Sequence, residues 1–200
     1  MAQNPKKKAL VLSYITVVYN ILEGVISLFA GYLAGSIALS GFGLDSFVES
    51  LSGMVMLWRL NNPADSPDDV EERREKKAVR LIGYTFFILA AYIFYESANK
   101  LYFREKPEAS LLGIIIAIVS LITMPVLYLQ KYRTAQELDS HSLMADSKET
   151  LACTMLSASL LAGLGLNYLF DFWWADPVTG LVIVFFLVRE GREIFAGEED

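Results

Sequence analysis

The run Ser36-Ile37-Ala38-Leu39-Ser40-Gly41-Phe42-Gly43-Leu44-Asp45-Ser46-Phe47-Val48-Glu49 opens an apolar stretch that continues to Leu60 and holds two carboxylates, Asp45 and Glu49, one helical turn apart. At membrane depth an ionisable side chain costs roughly 2.5–3.5 kcal/mol on insertion scales, so a helix keeps one only when it is paired, faces water or binds something. A later apolar stretch has Glu149 and Cys153 at the same spacing. Residues four apart share a helix face, so each stretch presents a two-residue stripe; Asp146, three residues before Glu149, joins the second. Two such stripes predict an ion site inside a membrane bundle.

Working outward, the rest of the chain is of the same kind. Of its 200 residues 54% are hydrophobic, more than one soluble core would bury, and it reads as an all-α integral membrane protein. The net charge of −6 comes from one loop, the membrane stretches and the tail Gly197-Glu198-Glu199-Asp200. No extended basic surface is left for nucleic acid, which is not an expected partner. One cysteine and one histidine exclude a disulfide framework and a zinc site of four Cys/His ligands. Lys6-Lys7-Lys8 precedes apolar sequence as in a signal peptide, but the run from about Ala9 to Ala34 is too long for a cleaved segment and reads as a retained first helix.

Hydropathy over windows of about 20 residues predicts six transmembrane helices, at about 10–32, 36–60, 78–102, 109–131, 143–169 and 176–195, in a single domain spanning 1–200. Residues 61–77, rich in Pro, Asp, Glu and Arg, read as a cytoplasmic loop with a short helix leading into span three. With six spans, Lys6, Lys7, Lys8, Arg59, Arg73, Arg74, Lys76, Lys77, Arg80, Lys131, Arg133, Arg189 and Arg192 fall on one side, against Lys100, Arg104 and Lys106 on the other. Both termini are therefore expected to be cytoplasmic. The tail after about Glu190 is too short for a second domain, so no C-terminal soluble domain is expected.

A rise of about 1.5 Å per residue puts Asp45 roughly 14 Å and Glu49 roughly 20 Å from an outer start near Ser36. From an inner start near Ser142, Glu149 lies roughly 10 Å and Cys153 roughly 16 Å deep, in a core of about 30 Å. Spans two and five run oppositely, so Asp45 is expected level with Cys153, and Glu49 with Glu149. Three carboxylates gathered without a cation would repel one another. A cation and protons therefore compete for one site, the chemical requirement for exchange.

The segment Ser36 to Glu49 resembles the second transmembrane helix of the cation diffusion facilitator family, in which a small-residue S-x-A-L run precedes an acidic residue or histidine and, four later, an aspartate. Ala145-Asp146-Ser147-Lys148-Glu149-Thr150-Leu151-Ala152-Cys153 resembles that family's fifth helix. By position, the resemblance implies Asp45, Glu49, Glu149 and Cys153 as ligands of a transported divalent metal, exported in exchange for protons across the cell membrane. It also implies a homodimer, here formed through the membrane part. The family's usual site histidines are absent, cysteine stands where its fifth-helix motif ends in aspartate, and no counterpart of its soluble C-terminal domain is expected. A thiolate favours zinc or cadmium and three carboxylates also suit manganese, iron or cobalt; zinc is the expected cargo.

Glu23 and Asn20 share a face of the first span. Glu23 is either a second-layer or proton-relay residue of the site or an interhelical hydrogen-bonding group. Asp146 is either a site member or a carboxylate favoured simply by the first turn of span five. Lys148 is expected to snorkel to the cytoplasmic surface, and His141 to be solvated in the preceding loop. Tyr168, Phe172, Trp173 and Trp174 read as an interfacial aromatic belt. Gly41, Gly43, Ser46, Ser50 and Gly53 are expected to permit close helix packing beside an ion path. No catalytic triad, glycine-rich phosphate loop or HExxH motif is present, so an enzyme is not expected. The rival readings are a proton-coupled organic-cation carrier and a non-transporting membrane scaffold.

Overall fold

A computed structural model describes residues 5–61 and 68–196. Within them every regular element is helical: α1 (Pro5–Ala34), α2 (Ile37–Asn61), α3 (Asp68–Phe103), α4 (Leu111–Leu138), α5 (His141–Phe170) and α6 (Ala175–Ala196). The protein is an all-α integral membrane protein, with six helices among the described residues. By length and composition α1, α4 and the Asp146–Phe170 part of α5 can each cross a membrane. Residues 62–67 of the expected loop and the acidic tail Gly197–Asp200 lie outside the described residues.

Along two of the helices polar side chains are buried and large apolar ones exposed. On α1, Ser13, Thr16, Asn20, Glu23 and Ser27 line the inner face, whereas Tyr14, Val18, Leu22, Val25 and Phe29 point outward; Phe29 is 59% exposed and Asn20 0%. Helix α4 repeats the pattern, with Ser120, Lys131 and Thr134 inside and Ile115, Val119, Ile122 and Val126 outside. Lipid supplies no hydrophobic drive between helices, so apolar side chains can face outward while polar ones must find partners within.

The helices pack chiefly as α1 with α2, α4 with α5, and α3 with α6, and α2 also touches α3, α5 and α6. Small residues permit the central position of α2. A Cβ on Gly43 would meet the Gly24 carbonyl oxygen and the Leu28 nitrogen of α1 at 3.0 Å, and one on Gly41 would meet Ile93 of α3 at 2.7 Å. The turns are tight. Gly35 takes φ +59 between α1 and α2, while Asp139 and Asp171 adopt left-handed conformations that end α4 and α5. Ser110 and Ser140 cap the starts of α4 and α5, accepting from Gly113 N at 3.0 Å and Leu143 N at 3.4 Å.

The short helix expected to lead into span three is continuous with it, since α3 begins at Asp68. Glu, Arg and Lys are strong helix formers, and an adjoining apolar helix supplies the nucleus that an isolated short segment lacks.

Candidate functional site

α2 supplies Asp45 and Glu49 and α5 supplies Glu149 and Cys153. The four line one cavity of about 20 Å³, together with Glu190 of α6 and a wall that includes Phe86, Leu156 and Leu187. A space of about 10–15 Å³ accommodates a single water, so the cavity is on the scale of one small ion. Asp45, Glu49 and Cys153 are 6%, 5% and 2% exposed. Glu49 Oε1 accepts a hydrogen bond from Thr150 Oγ1 at 3.1 Å, whereas Glu49 Oε2 and Glu149 Oε2 are buried without a partner. The Cys153 thiol lies beside Glu49. Glu49 thus reaches Thr150, one residue beyond the partner expected from depth alone. The four residues share a cavity but do not close into a coordination sphere: among the described residues no three His, Cys, Asp or Glu side chains form a group that could hold a metal ion.

The two further candidates lie off this cavity. Glu23 Oε1 accepts from Tyr19 at 2.9 Å and Oε2 from Ser46 at 3.0 Å, so its carboxylate binds α1 to α2 one turn from Glu49. Asn20 beside it is fully buried with neither side-chain polar atom bonded. For Asp146 the first-turn reading is corrected. Ser140 caps α5 and the helix starts at His141, which places Asp146 in the second turn. There its Oδ2 pairs with Lys131 Nζ at 2.8 Å, the two side chains 4% and 0% exposed.

Lys131 was counted from sequence as a cytoplasmic charge; it is an interior cation. Its ammonium also donates to Thr150 Oγ1 at 3.0 Å. Thr150 in turn can donate to Glu49 Oε1 or to the Asp146 carbonyl, both at 3.1 Å. Lys131, Thr150 and Glu49 therefore form a chain joining α4, α5 and α2. A sequence signal existed: opposite charges lie within two to three turns of the α4–α5 connection, at about 3.6 residues per turn, on helices that a short link forces antiparallel. Asp176 was also missed. Its carboxylate accepts from Ser36 Oγ and from Ile37 N at 2.9 Å, so a residue of α6 caps α2. Lys148 is exposed, as expected, and the side chain of His141 lies outside the described residues. Phe170, Phe172 and Trp174 stack at 5.6 and 5.4 Å at the α5–α6 turn, an exposed aromatic cluster at the bundle end.

Helices with an apolar exterior, buried polar side chains and carboxylates around a cavity at the meeting of α2, α5 and α6 define a polytopic membrane protein with an acidic cavity inside it. Residues 13–196 match the Cation efflux transmembrane domain family, and the chain belongs to that family. It is 25% identical over 194 residues to "Transmembrane protein 163" of Xenopus laevis, covering 96% of this chain and 68% of that one. It is 23% identical over 192 residues to an "Uncharacterized transporter" of Methanocaldococcus jannaschii, with 94% and 66% covered. Against the "Manganese efflux system protein MneS" of Bacillus subtilis the values are 21% over 174 residues, with 85% and 60% covered. The chain thus spans about two thirds or less of the length of these curated relatives.

Proposed function

We propose that the protein is a carrier that exports a divalent metal cation, zinc in the first place, from the cytoplasm across the cell membrane in exchange for protons. Membership of a cation efflux family supports the transport class. The observation that carries the site is the convergence of Asp45, Glu49, Glu149 and Cys153 on one small cavity, with two buried carboxylate oxygens unpartnered. Buried acceptors without donors are costly, and a divalent cation satisfies several at once. Cargo would bind to these four side chains, and the carboxylates would take protons once it leaves. Alternating access then means that the helices around the cavity rearrange to expose it to one side or the other. We place both termini in the cytoplasm by the distribution of Lys and Arg, and infer a homodimer formed through the membrane part. Membership of a transport family supports a carrier rather than an enzyme.

Manganese is the second reading for the cargo. It is favoured by a relative named as a manganese efflux protein and by the three carboxylates, whereas the thiol of Cys153 favours zinc or cadmium. The test is uptake of zinc, manganese, iron, cobalt and cadmium into proteoliposomes under an imposed pH gradient, for the wild type, Asp45→Asn and Cys153→Asp. Uptake that responds to the gradient and vanishes in Asp45→Asn is the expected result, with Cys153→Asp shifting preference from zinc towards manganese. No flux of any metal through well-folded protein would discard the proposal in favour of an organic-cation carrier or a scaffold.

A further inference from the structure

The cavity between α2 and α5 does not stand alone. A larger cleft of about 630 Å³ opens beside it, lined by residues that include Tyr128, Lys148, Met155, Arg189 and Glu193. Ala152, Phe186 and Glu190 line both spaces, and of these three only Glu190 is ionisable. Its neighbours on α6 are occupied with each other, Arg189 Nε bonding Glu193 Oε1 at 2.7 Å. Glu190 itself makes no hydrogen bond or ion pair among the described residues. It is half-buried and within electrostatic reach of both Asp45 and Glu49. On the cavity side stands Glu49, 5% exposed with Oε2 unpartnered. An uncommitted carboxylate thus sits between a roomy cleft and a cavity of ion size.

We propose that Glu190 is a transit ligand, which takes a divalent cation from the cleft and hands it to the cavity lined by Asp45, Glu49, Glu149 and Cys153. The proposal rests on the cation-export reading above. Stripping a divalent ion of its water in one step is slow. A carboxylate at the mouth replaces part of the hydration shell before the inner ligands replace the rest, and a stop that binds loosely lets the ion pass in either direction. The half-buried position suits a loose stop, and a third helix, α6, thereby joins α2 and α5 in handling the cargo. Glu193, tied to Arg189, is not free for the same role.

The test is initial-rate uptake of zinc and of manganese, supplied as simple salts, in proteoliposomes of defined orientation, with cation offered from one face and then the other. In Glu190→Gln the KM for cation offered from the cleft side should rise roughly tenfold, the loss of one charge-assisted contact, with kcat little changed. From the opposite face KM should hold, Glu190→Asp should recover most of the loss, and Glu193→Gln should behave as wild type. A KM unchanged in Glu190→Gln, or raised equally from both faces, overturns the transit role while wild-type transport leaves the export reading standing. If the Gln variant does not assemble as monodisperse protein, Glu190→Ala decides instead, and a KM unchanged from the cleft side in that variant overturns the transit role. A wild type that moves neither zinc nor manganese overturns both readings.

Discussion

Replacing Lys131 by Met strips the interior of its buried cation while keeping most of the side-chain volume. Two contacts disappear: the 2.8 Å pair with Asp146 and the 3.0 Å hydrogen bond to Thr150. At 2.8 Å the gross attraction is about 6 kcal/mol at an effective dielectric near 20. Desolvation offsets part of this, and breaking a buried pair by removing one partner typically costs about 3–5 kcal/mol, because the other charge stays buried alone. Lys131 is 0% exposed and Asp146 4%, so water cannot step in without opening the α4–α5 seam. The lower end is the better figure, since the unfolded state in a membrane or micelle also finds partners for polar groups. A loss of about 3 kcal/mol corresponds to a Tm lower by roughly 6–12 °C for a chain of this size. Removing both charges together, as Lys131→Met with Asp146→Leu, should bring stability back to within about 1 kcal/mol of wild type, because no unpaired charge remains. The assay is thermal unfolding in detergent followed by tryptophan fluorescence, run on the wild type, both single variants and the double variant. Single variants that unfold within about 2 °C of the wild type, less than the shift for 1 kcal/mol, would refute the reasoning, as would a double variant that loses the sum of the singles.

Two other perturbations address the links between helices. Thr150→Val removes the hydroxyl that holds Glu49 Oε1 but keeps the shape; KM for the transported cation should rise roughly tenfold with Tm lowered only slightly, and proteoliposome uptake checks it. Asp176→Ala deletes the α6 carboxylate that caps α2 through Ile37 N and Ser36, and should destabilise by about 1–2 kcal/mol, measured by the same thermal unfolding.

The helices were legible because a helix satisfies its own backbone within one segment, and α1, α4 and most of α5 carry the apolar run that a membrane crossing needs. The stripes Asp45/Glu49 and Glu149/Cys153 were legible for a related reason: helix periodicity fixes which residues share a face without reference to any other helix. The short helix leading into span three was legible too, but not that it runs unbroken from Asp68, because its charge hides a helix that propagates from the apolar span. Lys131 was counted only for the side of the membrane on which it falls, and its burial was not foreseen. Nothing within α4 reveals that Asp146 and Thr150 wait on the facing helix to receive it.

By itself, then, the sequence determined the helices, the polarity of their faces and the acidic stripes, all of which follow from the 3.6-residue repeat and the cost of placing charge in hydrocarbon. Only the tertiary structure decided which faces meet. It put Glu190 of α6 beside the stripes of α2 and α5, gave Glu23 to Ser46, and set Asp176 over the start of α2. The physical reason is that a helix interior is specified by local hydrogen bonds, whereas the partner of a buried polar group is whatever packing brings within about 3 Å, a choice made between segments far apart in the chain.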